Sequence, residues 1–476
     1  MGVRRARLTG PRRRRDDTRR PPRPAEPLRL PEPEEREAYL VLDFALRAGE
    51  VLLSGGAGAA DVTATTMALA NACGLRRVDC DITFTSITLV YVRAPDVAPV
   101  TSMRLVRRRA LDYTRVTEVD NLVADVVEGR LAPRDAMARL EQVRQAGHPY
   151  RGWTVTAARA ALAAAIAVLL GAGPVVALAA LGSTVVVDRV LLWLDARHMP
   201  VFYQNLVGGL IASGTAVGLV AADAGVRPGL VVAGGIILLL PGSTLVGAVQ
   251  DAITGYLVTA AARAVEVLLL TAGIVAGVAL GLDIGVRFGV YVAVEASSPF
   301  SLTQVPVQLA MAGIAAGAFA TANYSPRRTL PAAALAGALG WGTLIGAQQL
   351  DLSIGVSSAV AAAVVGFGAY ALAHRQKAPP LVYLAAGIIP LLPGLTIYRG
   401  MLRLADGDTL GGLVTLGNAL AIGLALAAGA ILGEFLAQPT RRDVPRFERR
   451  LVGPRLAGPL RRSAPRRRED PDDRRA

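Results

Sequence analysis

From about residue 151 onward the chain is a succession of apolar stretches, each near the roughly 20 residues that an α-helix needs to cross a bilayer. They cover 155–173, 174–194, 202–222, 229–249 and 264–282; a polar stretch rich in turn residues follows at 283–304, and then come 305–321, 330–347, 354–373, 380–402 and 411–436. About ten transmembrane helices are predicted, although the first two are joined by almost no loop, so nine spans or a re-entrant pair fit as well. Between 35 and 147 the pattern is that of a water-facing unit, with ordinary charge and mixed periodicities. Tyr39, Leu42, Leu46 and Leu53 recur at helical spacing until the SGGAG run at 54–58 stops the helix. A second helix runs from Asp61, its predicted cap, to Cys73, with Gly74 ending it. The runs 78–84 and 87–92 are β-branched and alternate in polarity, which predicts strands; 103–108 is a weaker third. Helices over 118–128 and 133–145 close the unit, the latter opening on Pro133, so that 35–150 is expected to be a small α/β cytoplasmic domain ahead of a mainly α membrane part.

Charge sharpens this division. Lys and Arg exceed Asp and Glu by 14, yet residues 1–30 alone carry +8 and residues 438–476 carry +7, so the rest is close to neutral. A basic nucleic-acid-binding domain is a poor reading of such a chain, and so is disorder throughout. Residues 1–34 read as a disordered Arg/Pro arm and 438–476 as a disordered basic tail. Next to membrane spans both are drawn to anionic lipid headgroups, by about 1 kcal/mol per Arg close to the surface; a solubilising role without a partner fits them equally. The arm has no apolar run of signal-peptide length and is expected to stay in the cytoplasm. Lys and Arg in the short loops agree. Arg189, Arg197, Arg263, Arg327, Arg328, Arg375 and Lys377 fall on the side of the amino terminus, against Arg227, Arg287, Arg399 and Arg403 on the other. The expected protein is a multi-pass component of the cytoplasmic membrane with both termini inside. Cys73 and Cys80 have no metal spacing and are expected as free thiols.

Candidate chemistry lies in an internal repeat. GIILLLPGSTL at 235–245 and GIIPLLPGLTI at 387–397 match at eight of eleven positions, at an offset of 152 residues. With five spans between the two copies, they run in opposite directions, so the halves 151–284 and 285–437 form a 5+5 inverted repeat. Pro241 and Pro393 remove backbone donors, while Gly242 and Gly394 permit non-helical conformations; the spans should therefore break near the midplane. Free backbone groups there, with Thr244 and Thr396, are expected to bind substrate, although a pair of structural kinks gives the same sequence. Arg399 is an anchor for a substrate carboxylate or an interfacial residue. Asp251 with Arg263 forms a proton-coupling pair, an inner gate or a boundary salt bridge. Asp188 and Arg189 read as snorkelling groups, Glu434 likewise, and Asn205, Asn323 and Asn418 as polar interior candidates. No enzyme signature survives: SGGAG lacks the GK[ST] of a phosphate loop, and His148, His198 and His374 lie far apart. Asp79 and Asp81 share a strand face that is read as solvated. No metal and no cofactor is expected.

The segments LLSGGAGAADVTATTMALANACGL, NLVADVVEGRLAPRDAMARLEQV, LPGSTLVGAVQDAITGYLVTAAARAVE and GIIPLLPGLTIYRGML resemble the threonine/serine exporter family from Glu35 to about Leu436. Pro241, Gly242, Asp251, Gly255 and Arg263 fall on the pattern in the first half, and Pro390, Pro393, Gly394, Tyr398 and Arg399 in the second. The resemblance implies secondary-active efflux of L-threonine and L-serine, coupled to the proton motive force, with a small amino acid and protons as partners; association of copies of the chain is compatible with it. Split two-subunit relatives imply dicarboxylate export as the alternative. The family's amino-terminal part, suspected of hydrolase character, leaves a membrane-anchored hydrolase or sensor as a further class, though no triad supports it.

Overall fold

The computed structural model describes residues 33–106, 111–290, 304–405 and 407–437. The expected arm up to residue 32, the tail from 438 and most of the polar connection at 283–304 lie outside the described residues. The amino-terminal unit consists of α1 (Pro33–Ser54), α2 (Ala59–Ala72), β1 (Val78–Ile82), β2 (Ser86–Tyr91), β3 (Val100–Leu105), α3 (Tyr113–Val127) and α4 (Pro133–Gln145). The strands form an antiparallel meander, with Cys80 opposite Leu89 and Leu89 opposite Ser102. Period-two alternation buries Ile87 and Leu89 against Leu42, Phe44, Leu46, Leu69 and Leu122 of the helices, while Asp79 and Asp81 face outward. Gly56, at φ +95°, turns the chain after α1, so SGGAG is a helix-ending turn. Cys73 and Cys80 are free. Burial pushes the Cys73 thiol up to about 11 and raises that of Cys80.

The cap predicted at Asp61 is not there. The residue at the α2 N-cap is Gly58, whose missing side chain caps nothing, and Asp61 sits within the first turn. The first free amide is satisfied from the membrane part of the chain instead, as shown below.

Among the described residues, eight unbroken helices are long and apolar enough to cross a membrane: α5 (Gly152–Leu169), α6 (Pro174–Ala196), α7 (Val201–Ala221), α10 (Leu257–Arg287), α11 (Val305–Ala322), α12 (Leu330–Gln349), α13 (Ile354–Gln376) and α16 (Thr409–Ala437). The predicted spans at 229–249 and 380–402 are each divided, into α8 (Pro228–Ile236) with α9 (Gly242–Ile253) and α14 (Pro380–Ile388) with α15 (Gly394–Ala405). The second pair counts as a ninth crossing when taken together, bent by 48°. Ten continuous helices are therefore not found among the described residues: the Pro-Gly pairs cut two of the apolar stretches into pieces too short to cross alone. Leu178, Val186, Leu268, Leu269 and Leu413 are more than half exposed except Val186, at 50%; so large an outward apolar surface fits hydrocarbon and not water.

The 152-residue offset carries α8 onto α14 and α9 onto α15 end for end. Packing repeats in parallel: α5 meets α6 as α11 meets α12, α7 meets α10 as α13 meets α16, and α9 meets α10 as α15 meets α16. Close approach in both long pairs depends on glycine. A β-carbon at Gly277 would collide with the Leu206 carbonyl, and one at Gly429 with the Ala359 carbonyl.

Candidate functional site

Pro241 has no N–H to continue the ladder, and α8 gives way to a turn before α9 starts. In the second copy, one 3-10 turn at Ile389–Leu391 leads to an extended Leu392, and α15 begins at Gly394. The two breaks pack against each other reciprocally. A β-carbon on Gly242 would lie 2.5 Å from Leu392 Cδ1, and one on Gly394 would lie 2.8 Å from Leu240 Cδ1. Glycine at each break thus makes room for the leucine that precedes the Pro-Gly pair of the other.

Beside this contact lies a cavity of about 270 Å³, lined by Gly242 and Ser243 from the first break and by Ile389, Leu392 and Gly394 from the second. Its walls are mainly apolar, and Ser243, Asn323 and Arg159 supply the polar side chains. The start of α9 and the start of α15 both reach it, bringing the partial positive charge of helix N-termini. Of the residues singled out from sequence, Gly242 and Gly394 meet here. Pro241 and Pro393 shape the breaks without lining the cavity; Thr244, Thr396 and Arg399 are not among its lining residues. The hydroxyl that does line it belongs to Ser243, one position earlier. Asn323 also faces it while donating to Phe319 O at 2.8 Å. Asn205 instead ties α7 to α10 through Leu270 O, and Asn418 is exposed.

Arg159 escaped the sequence reading because it lies inside an apolar stretch. Its Nη1 donates to Asp188 Oδ1 at 2.5 Å. Asp188 Oδ2 accepts from Thr156 Oγ1 at 2.5 Å and from Arg189 Nη2 at 2.9 Å. Asp188 therefore does not snorkel: its side chain is 1% exposed, held between α5 and its own helix. The recognisable sign was a charged residue in each of two consecutive spans, opposite in sign.

Asp251, fully buried, lies in the last turn of α9, against the amino-terminal unit. Its Oδ1 accepts the Ala59 amide at 2.9 Å, capping α2 from 192 residues away. Its Oδ2 is 3.2 Å from Nε of Arg263, itself buried. Around this latch Tyr256 Oη meets Thr63 Oγ1 at 2.8 Å and Thr259 donates to Ile82 O. The second half is tied to the same unit. Tyr113 N donates to Asn323 O, Tyr150 Oη to Ser325 O, and Asn121 to Lys377 O. Glu434, near the end of α16, lines a separate small cavity at this junction with Asp61 and Asp120. No group of His, Cys, Asp or Glu that could hold a metal ion occurs among the described residues.

A mainly helical, multi-pass membrane protein, with two interrupted helices enclosing a cavity of small-molecule size, is the class defined by this architecture. Comparison with known proteins makes it specific. The family model ThrE, described as "Putative threonine/serine exporter", matches residues 43–285, and a second, "Threonine/Serine exporter, ThrE", matches 308–436. A "Probable threonine/serine exporter" of Mycobacterium tuberculosis (strain ATCC 25618 / H37Rv) is 38% identical over 84% of this chain and 77% of its own length. A "Threonine/serine exporter" of Corynebacterium glutamicum is 34% identical over 90% of this chain and 88% of its own. The chain belongs to the threonine/serine exporter family. No solved structure gives a significant match.

Proposed function

We propose that this chain exports small amino acids, L-threonine and L-serine, across the cytoplasmic membrane by secondary active transport coupled to the proton gradient. The observation that carries the reading is the cavity shared by the two Pro-Gly breaks, one from each half. Gly/Pro-interrupted spans in corresponding positions of two repeats are where transporters build their substrate sites. Pro241, Gly242, Pro393 and Gly394 form the breaks, Thr244 and Thr396 lie in the first turns that follow, and Arg399 lies further along α15. The Asp251–Arg263 pair, with the Asp251–Ala59 contact beside it, serves as the gate, since its release would part α9 from α10 and from the amino-terminal unit. In proteoliposomes preloaded with L-threonine, labelled L-threonine and L-serine are expected to enter by counterflow, with no dependence on nucleotide. Absence of flux for every small amino acid, with the protein folded and inserted, would overturn the proposal.

Ten crossings in a 5+5 inverted repeat fit the contacts better than re-entrant pairs. Arg227, just ahead of α8, donates to Gly171 O in the turn between α5 and α6, whereas α9 ends against Ala59 of the amino-terminal unit. A re-entrant pair would return α9 to the side where α8 started. With that unit in the cytoplasm, reporters fused after Gln349 and after Arg375 are expected to read outside and inside respectively; the reverse pattern removes the topology.

A further inference from the structure

Resting on the cavity as the substrate site, we infer that Arg159 is the side chain that anchors the substrate's carboxylate, and that Asp188 positions it. A charged residue within a membrane span costs about 2.5–3.5 kcal/mol on insertion scales, so it is retained where it is paired or used. Asp188 is fully enclosed by its partners, whereas the Arg159 side chain remains 29% exposed and lines the cavity. Among the described residues Arg159 makes one hydrogen bond, from Nη1 to Asp188 Oδ1. A guanidinium carries five N–H donors in a fixed fork, which leaves an edge for a second, bidentate carboxylate.

Charge sets the ligand class. Arg159 is the charged residue among those lining the cavity. Asp188 is shared by Arg159 and Arg189, so the cluster of three carries one uncompensated positive charge. One carboxylate balances it. A second would find no other charged side chain in the lining, only the partial charges at the starts of α9 and α15 beside the apolar walls formed by Leu162, Ile237 and Phe319, which compensate a full buried charge incompletely. The geometry therefore points to monocarboxylic amino acids and against dicarboxylates. The ammonium group is left to the carbonyl end of α8, which carries partial negative charge.

The test uses the full chain in proteoliposomes and counterflow of labelled L-threonine, with the ligand varied as well as the protein. On the wild type, L-threoninol and L-threonine amide, which lack the carboxylate, are expected to compete at least about tenfold more weakly than L-threonine, and succinate as weakly, because a site built around a charged partner rejects analogues without it. Arg159→Gln is expected to raise KM for L-threonine by at least about tenfold and to erase its advantage over L-threoninol, while Arg159→Lys restores part of both. A purely structural role would lower the amount of active protein or kcat and leave the ligand preference intact. The inference is overturned, with the transporter reading still standing, if the wild type moves L-threonine but accepts L-threoninol equally. It is equally overturned if Arg159→Gln keeps the wild-type KM. Should Arg159→Gln not fold, the ligand series on the wild type decides alone. A wild type that moves no amino acid at all removes the site reading and this inference together.

Discussion

Replacing Asp251 with alanine is expected to loosen the amino-terminal unit from the membrane helices and to lower stability by about 3–5 kcal/mol. Two losses combine. Arg263, only 3% exposed, is left as a buried charge without its carboxylate, and the Ala59 amide at the start of α2 loses the acceptor that Gly58 has no side chain to replace. Thermal unfolding in detergent measures the first effect, and hydrogen exchange of the first-turn amides of α2 the second. Asp251→Asn retains an oxygen for the Ala59 amide but gives up the charge, so the latch should weaken less. If Asp251 is the proton-exchanging gate proposed above, substrate binding is expected to persist in this variant while gradient-driven export stops, because the amide takes up no proton. Export at the wild-type rate and pH dependence would reduce Asp251 to a structural latch. Unchanged melting and unchanged α2 protection in Asp251→Ala would show that the contact contributes nothing.

The second large effect is expected at the breaks. Gly242→Leu and Gly394→Leu place side chains where Leu392 and Leu240 of the opposite break already sit, 2.5 and 2.8 Å from the first added carbon. Overpacking of this kind costs about 1–3 kcal/mol and, where the helices cannot separate, fills the adjoining cavity. Counterflow should fall by at least about tenfold in each, the order of loss expected for such a displaced site. The reciprocal packing also predicts a specific rescue. Gly242→Ala combined with Leu392→Ala should recover more binding than the two single changes would give if they were independent, and a double-mutant cycle measures that coupling. If both Gly→Leu variants bind L-threonine normally, the breaks are kinks, and their resemblance records duplication without marking the site.

Much of this molecule was legible from apolar run length and Pro-Gly content alone. The helix over 133–145 follows from Pro133 and its flanking pattern and is found at those bounds. The strands over 78–92 follow from alternation, which is a local property, and shift by only one or two residues. The breaks at Pro241 and Pro393 were equally predictable, because a missing N–H acts on its own chain whatever surrounds it. The division of each of these spans into two short helices follows from the same cause, and it leaves eight unbroken membrane-length helices among the described residues, where about ten spans were expected.

Hydrophobicity, periodicity and backbone chemistry are set within a few turns, so the membrane class, the paired interruptions and an α/β unit ahead of apolar helices were readable along the chain. Which residue of the first break faces the cavity, Ser243 and not Thr244, came only from the way the two breaks pack in three dimensions. The tertiary structure also paired Arg159 with Asp188 across a helix hairpin and supplied the α2 cap from Asp251 in place of Asp61. The last two share one physical reason. A buried polar group must find a partner, but burial removes only the option of water. Which partner it takes is fixed by the meeting of helix faces far apart in the chain, and that meeting has no local signature.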